Sequence, residues 1–266
     1  MKKYLIVILS LLLPPILNGQ TVATQEELLV IDVNTQSEAG NFIFENPKGS
    51  VSITGYSGQV ILVTGKLRYP VSKEIEQGEM KRLDQYPFTM TAEVRGSEVQ
   101  LFCELNGNTV DFDIKIPSHF STRIKSQDNG EVTIFQVIGD IEVENPHGNI
   151  TLLGITGSAN LSSIDGSILA DFKEVDVLKP IMISTLDGNV DLTVPEKSKM
   201  NFKLKSAQKE VNTDLEIERS SRPSIIKQNK GKKVYTMDDW TYGTMNGGGS
   251  ECTLSTYNGN ITIKKR

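Results

Sequence analysis

Between Gly130 and Ala170 apolar and polar residues alternate in short blocks, and each block opens on a glycine. Gly130, Gly139, Gly148, Gly157 and Gly166 stand nine residues apart. Two and four places after each glycine the residue is apolar: Val132 and Ile134, Ile141 and Val143, Ile150 and Leu152, Ala159 and Leu161, Ile168 and Ala170. The places between hold mostly Ser, Thr, Asn, Asp or Glu. The same grammar follows Gly49, Gly58, Gly188 and Gly259. A period of two over five residues predicts a β-strand with one buried face. A glycine before each strand permits a sharp corner. One such unit cannot bury its apolar face alone, so the units must stack.

The residue before each glycine alternates in kind: Asn129, Ile138, His147, Thr156, Asp165. The structural period is therefore 18, two strands and two different corners per coil. "ENPKG" (45–49) and "ENPHG" (144–148) read as one corner on two rungs. The step of 22 from Gly166 to Gly188 reads as one coil with a four-residue insertion. The fold expected is all-β, a right-handed parallel β-solenoid of about 18-residue two-strand coils at ~4.8 Å per rung. An antiparallel β-sandwich is the alternative, because regular turn signals every eight to twelve residues also fit it.

Two stretches break the pattern and are expected as irregular insertions: 66–95, charged and weakly periodic, and 197–249. Within the second, "VYTMDDWTYGTM" is expected as a strand pair around Trp240. "NGGGS" allows close backbone approach before the last strands.

The N-terminus changes the picture of where the chain works. Lys2 and Lys3 precede an apolar run from Tyr4 to Leu17, broken by Ser10, Pro14 and Pro15. This is the pattern of a signal peptide over residues 1–19, cleaved near Gly19–Gln20. The run is shorter than the ~20 apolar residues a membrane span requires. Residues 20–266 are expected as a single domain without a membrane span, in the periplasm, on the outer surface or outside the cell. Without Lys2 and Lys3 the balance is 26 basic to 33 acidic residues, which argues against nucleic acid as a partner. Lys227, Lys230, Lys232 and Lys233 are expected as a solvated loop. Cys103 and Cys252 both fall on an apolar phase. Export would permit a disulfide between them, but two small buried hydrophobes are the reading preferred.

The units "NGEVTI", "GDIEV", "HGNIT" and "DGNVDLTVP", with the ending "GTMNGGGSECTLSTYNGNITIKK", resemble an adhesin-like family of bacterial β-strand repeat proteins over roughly Leu28 to Lys265. The resemblance implies a secreted β-solenoid of poorly defined function and brings no catalytic residues with it.

Little chemistry is written along the repeat. A calcium roll needs paired glycines and an Asp two places after the last; here that place is Val, Ile or Ala, so no metal and no cofactor is expected. His147 stands at a corner between Asn129 and Asp165, an arrangement read as turn chemistry rather than an acid–base pair. No G-x-S-x-G, H-E-x-x-H or phosphate-loop spacing occurs. The function expected is non-catalytic: an adhesin-like binding or scaffold role at the cell envelope, toward an unidentified surface polymer or protein. The alternatives are a polysaccharide-active enzyme, lyase or hydrolase, on a parallel β-helix, and a periplasmic structural protein without an adhesive role. On one face, alternate units present Glu131 and Thr133, Asn149 and Thr151, Ser167 and Leu169, Asn189 and Asp191. This short polar ladder, without aromatic rings, makes Asn149, Thr151, Asn189 and Asp191 the candidate binding residues.

Overall fold

The computed structural model describes residues 26–33, 39–46, 48–68, 87–128, 130–221, 224–229, 232–237 and 239–266. The expected signal peptide, most of the 66–95 segment, Asn129 and Lys230 lie outside the described residues, as do the side chains of Lys227, Lys232 and Lys233. Among the described residues there are 22 strands and no helix.

The first strands are β1 (Glu26–Asp32), β2 (Gly40–Asn46), β3 (Val51–Tyr56), β4 (Val60–Leu67), β5 (Thr89–Arg95), β6 (Glu98–Glu104) and β7 (Val110–Pro117). The middle of the chain forms β8 (Phe120–Ser126), β9 (Val132–Phe135), β10 (Ile138–Glu144), β11 (Ile150–Ser162), β12 (Ile168–Val175), β13 (Ile181–Ser184) and β14 (Val190–Val194). The last third forms β15 (Met200–Ser206), β16 (Val211–Thr213), β17 (Glu218–Arg219), β18 (Ser224–Asn229), β19 (Lys232–Met237), β20 (Thr241–Met245), β21 (Ser250–Thr256) and β22 (Ile261–Lys265).

Twenty of these strands fall into two hydrogen-bonded ladders. The first runs β5, β6, β2, β8, β10, the second half of β11, β13, β21, β15, β20, β17. The second runs β1, β4, β7, β3, β9, the first half of β11, β12, β14, β22, β16. The chain passes from the first ladder to the second at each Asx-Gly-like corner. β11 serves both ladders because it turns at Gly154, whose φ is +68°. In the middle of the stack Ile150 pairs with Val132 and with Ile168, 18 residues to either side. Ile168 pairs with Val190, the expected step of 22.

The rungs do not follow chain order. The coil of β2 and β3 lies between that of β6 and β7 and that of β8 and β9. At the other end β21 and β22 lie between the coil of β13 and β14 and that of β15 and β16. Segment 197–249, expected to be irregular, therefore contains a regular coil, β15 with β16. Its glycine period is broken because its rung neighbour is the C-terminal coil, not the coil before it in sequence. Segment 66–95 likewise ends in β5, antiparallel to β6. Three of the four ladder ends are closed by antiparallel strands, β4 with β1 and β5 at one end of the stack and β20 with β17 at the other, while the second ladder ends on β16, parallel to β22. Parallel coils leave unpaired edges that invite aggregation, and the antiparallel strands cover three of them. The strands flanking Trp240 are not a pair: β19 pairs with β18, and β20 pairs with β15 and β17.

Period-two alternation becomes the core directly. Ile150, Leu152, Ile168, Ala170, Val190, Leu192, Ile261 and Ile263 are all fully buried in one cluster, which also takes in Phe42, Phe44 and Phe172. Each large side chain so buried contributes about 1.5–3 kcal/mol. Cys252 belongs to the core, while Cys103 is half-buried, and both thiols are free. They sit six rungs apart on the first ladder, roughly 29 Å at ~4.8 Å per rung, and a disulfide spans less than ~7 Å between Cα atoms. Burial pushes the Cys103 thiol up to about 12, so it stays protonated and inert.

Candidate functional site

The corner explains the repeated "ENP-x-G". A Cβ on Gly130, Gly148, Gly166, Gly188 or Gly259 would lie 1.8–2.2 Å from the carbonyl oxygen of the corner glycine one rung away. Only glycine allows the rungs to close. Three residues before the glycine, a small polar side chain donates to that same carbonyl. Asn145 Nδ2 donates to Gly130 O (2.8 Å), Thr185 Oγ1 to Gly166 O (2.8 Å) and Thr256 Oγ1 to Gly188 O (2.8 Å).

One residue after the glycine, the side-chain oxygen accepts from the backbone of the next rung. The Ser167 N–H donates to Asn149 Oδ1 (3.0 Å), that of Asn189 to Ser167 Oγ (3.1 Å), that of Asn260 to Asn189 Oδ1 (2.9 Å) and that of Glu210 to Asn260 Oδ1 (3.2 Å). Two of the four candidate binding residues, Asn149 and Asn189, are thus links in a ladder that holds the coils together. Thr151 and Asp191 stand half-buried in the adjacent outward row, each beside Leu169. The four share the outer surface of the second ladder, as expected.

That surface is less polar than expected. Phe135 is 38% exposed, next to half-buried Leu153, and Leu169 is 40% exposed. The aromatic ring expected to be missing is Phe135. It occupies the outward place directly after Thr133, so the alternation carried the signal one step past the places considered.

The corner edge carries a further repeat. Ile164, Leu186 and Tyr257, 45–50% exposed, stand two residues before successive corner glycines. Backbone bonds join them from rung to rung, through Asp187 N to Ile164 O (2.7 Å) and Tyr257 N to Leu186 O (3.2 Å). Beside this apolar row runs a polar one. His147 Nδ1 lies 2.9 Å from Asp165 Oδ2, and Asn258 donates to Asp187. The His147–Asp165 neighbourhood is the one predicted, with both groups exposed.

The outer surface of the first ladder holds a groove of about 430 Å³ whose lining includes Asn41, Arg123, Asp140, Glu142, Ser158 and Lys179. Arg123 faces outward from β8, a regular rung although no nine-residue glycine step announces it. Four of the charges in the groove pair with one another. Arg123 Nε lies 2.7 Å from Glu142 Oε2, and Lys179 Nζ lies 2.7 Å from Asp140 Oδ2. Ser158 Oγ donates to Asp140 Oδ1 (2.8 Å), and the Asp140 N–H donates to Ser121 Oγ (3.0 Å). Partial burial pushes the Asp140 carboxyl up, but the hydrogen bonds from Lys179 and Ser158 and the charge of Lys179 more than offset it. The net shift is downward. Asp140 is therefore an ionised acceptor at neutral pH, unsuited to donating a proton. Among the described residues no three His, Cys, Asp or Glu side chains gather as metal ligands would.

The sequence model of one family, Toastrack DUF4097, matches residues 30–264, nearly the stretch over which the corner–strand units carry the resemblance drawn above. No curated relative matches the chain in sequence. Among solved structures, a candidate cell adhesion protein from Clostridium sporogenes ATCC 15579 is similar at 14% identity and a TM-score of 0.41, covering 91% of this chain and 100% of that one. A candidate adhesin from Bacteroides fragilis NCTC 9343 is similar at 12% identity and a TM-score of 0.40, covering 91% and 97%.

Proposed function

We propose that this chain, which belongs to the Toastrack DUF4097 family, is an exported, non-catalytic binding or scaffold protein of the cell envelope. In this reading it is a right-handed solenoid whose unit is an 18-residue two-strand coil. The observation that supports it best is repetition on the outside. The apolar row of Ile164, Leu186 and Tyr257 and the polar row beside it present like groups at rung spacing. Weak contacts repeated along a rigid surface add up to avid attachment to another repetitive surface. The enzyme reading draws on the groove, with three carboxylates (Glu98, Asp140 and Glu142), an Arg and a Lys. There the ion pairs and the ionised state of Asp140 favour a structural role, because glycosidic cleavage needs a carboxylic acid able to give up a proton.

Two measurements test the proposal. Expressed with its N-terminus intact in a Gram-negative host, the protein should be recovered outside the cytoplasm with a new N-terminus near Gln20. Recovery from the cytoplasm with Met1 retained would overturn export. The purified chain from Gln20 onward should co-sediment with isolated envelope fragments and release no reducing ends from them. Failure to sediment with any envelope fraction refutes the binding role, and release of reducing ends establishes the enzyme instead.

A further inference from the structure

Charge is unevenly spread along this acidic chain. Residues 197–242 hold eleven Lys and Arg against six Asp and Glu, while the rest of the chain after residue 19 holds 15 against 27. The basic stretch supplies β15 and β20, next to one another near the C-terminal end of the first ladder. Lys203 and Lys205 are the two lysines on the outward phase of β15, between the buried Phe202 and Leu204. Their ammonium groups lie 4.8 Å and 5.7 Å from the centroid of the Trp240 ring. Two like charges so placed repel, and the indole π-face is what holds them there. Among the described residues one carboxylate pairs with them, Asp239, with Oδ2 2.6 Å from Lys205 Nζ. Lys203 is paired in register with Tyr242 on one side and with Thr253 on the other; Lys205 is paired with Ser255.

The assembly is a compact cationic point, framed by an indole and a phenol ring and flanked by the half-exposed hydroxyls of Thr253 and Ser255. We propose that the cluster of Lys203, Lys205, Trp240 and Tyr242 is a binding site for an acidic saccharide, a chain of sugars bearing carboxylates. One sugar carboxylate lies between the two ammonium groups and completes their neutralisation through charge-assisted hydrogen bonds. The C–H face of an adjoining sugar packs on aromatic surface, which offers large contact area with little loss of side-chain freedom. The Thr253 and Ser255 hydroxyls meet sugar hydroxyls. A polyphosphate chain fits less well, because it has no C–H face to pack on the aromatic rings. An anionic bilayer calls for a broad basic face, and the outward row of the neighbouring β21 begins with Glu251.

Trp240 is the one tryptophan in the sequence, so its emission reports directly on this site. The purified chain is titrated with a short oligogalacturonate, with a neutral malto-oligosaccharide, and with acetate at the same carboxylate concentration. The expected result is a saturable change in emission with the oligogalacturonate only, weakened by added salt. Lys203→Gln combined with Lys205→Gln should raise Kd at least about tenfold, the equivalent of one lost charge-assisted hydrogen bond, with an unchanged far-UV spectrum. The single variants Lys203→Gln and Lys205→Gln repeat the test should the pair fail to fold. Trp240→Phe, followed by calorimetry, should weaken binding independently of fluorescence. No response to the oligogalacturonate, an equal response to acetate, or full affinity in the lysine variants overturns the site. The proposal goes beyond the envelope reading and does not depend on it. A soluble ligand and the purified chain suffice, so a protein that never attaches to envelope could still show this site, and the reverse.

Discussion

Gly166→Ala is the most direct test of the stacked corners. The φ of Gly166 lies outside the left-handed region, so alanine carries no backbone strain there. Were the rungs not in contact, the change would stabilise the protein by about 0.4–1 kcal/mol through a less flexible unfolded chain. In the structure the new Cβ would lie 1.9 Å from Gly148 O and 2.7 Å from Ser163 Oγ, where ordinary contacts begin near 3.4 Å. Neighbouring rungs must part locally by about 1.5 Å, as the difference of those distances shows. Two bonds cross that gap, Ile150 N to Ser167 O at 3.1 Å and Ser167 N to Asn149 Oδ1 at 3.0 Å. Losing both costs about 2 kcal/mol, and the forced packing adds about 1–3 kcal/mol. Net of the entropic gain, the expected destabilisation is about 2–4 kcal/mol. At ~2–4 °C per kcal/mol for a chain of this size, Tm should fall by roughly 4–16 °C. Gly96→Ala is the control. Its φ is +65° and nothing lies within 4 Å of the new methyl, so only backbone strain of about 1–2 kcal/mol applies. Thermal melts by circular dichroism compare the two. A Gly166→Ala protein that melts at or above the wild-type temperature would refute the stacked corner, and with it the rung register.

Ile150→Asp should prevent folding, because it places an unpaired charge at a fully buried position, whereas Thr151→Asp, one residue on and facing outward, should shift Tm by only a few degrees; equal losses in the two would contradict the strand phase. Asn149→Arg combined with Asn189→Arg should lower stability by about 2 kcal/mol, since each Asn oxygen accepts a backbone N–H of the next rung, and an unchanged Tm would show that these links contribute nothing. Asp140 is held below its ordinary 3.8 in the folded state, so its contribution is complete above pH ~3.8 and is lost as pH falls through the lower folded value. Asp140→Asn should therefore reduce Tm at neutral pH and flatten the acid limb below pH ~4, and identical acid limbs in wild type and variant would refute that role. Lys179, raised above 10.5 by the same bond, contributes below that pH and ceases to do so as pH rises beyond it.

What the sequence determined was local. Alternation after each glycine placed Ile150, Leu152, Ile168 and Val190 in the core and Thr151 outside, because a strand has only two faces and one of them must leave water. The corner glycines and the step of 22 placed Ile150 opposite Val132 and Ile168, and Ile168 opposite Val190. His147 beside Asp165 followed from the same spacing. Rung order was a different matter. An identical corner grammar at residues 49, 130 and 259 says that these glycines stack, but every coil offers the same apolar pair and the same backbone edge. The grammar therefore fits any order. The tertiary structure decided it by setting the N- and C-terminal coils one rung in and covering three of the four ladder ends with antiparallel strands, which leaves fewer open backbone groups than bare parallel edges would. Groups that meet across distant rungs had no local signature for the same reason. Lys179 reaches Asp140 across 39 residues, and Trp240 meets Lys203 and Lys205 only because β20 returns beside β15. Period and corner chemistry act over a few residues of chain, while the sites are made by pairings that chain distance does not encode.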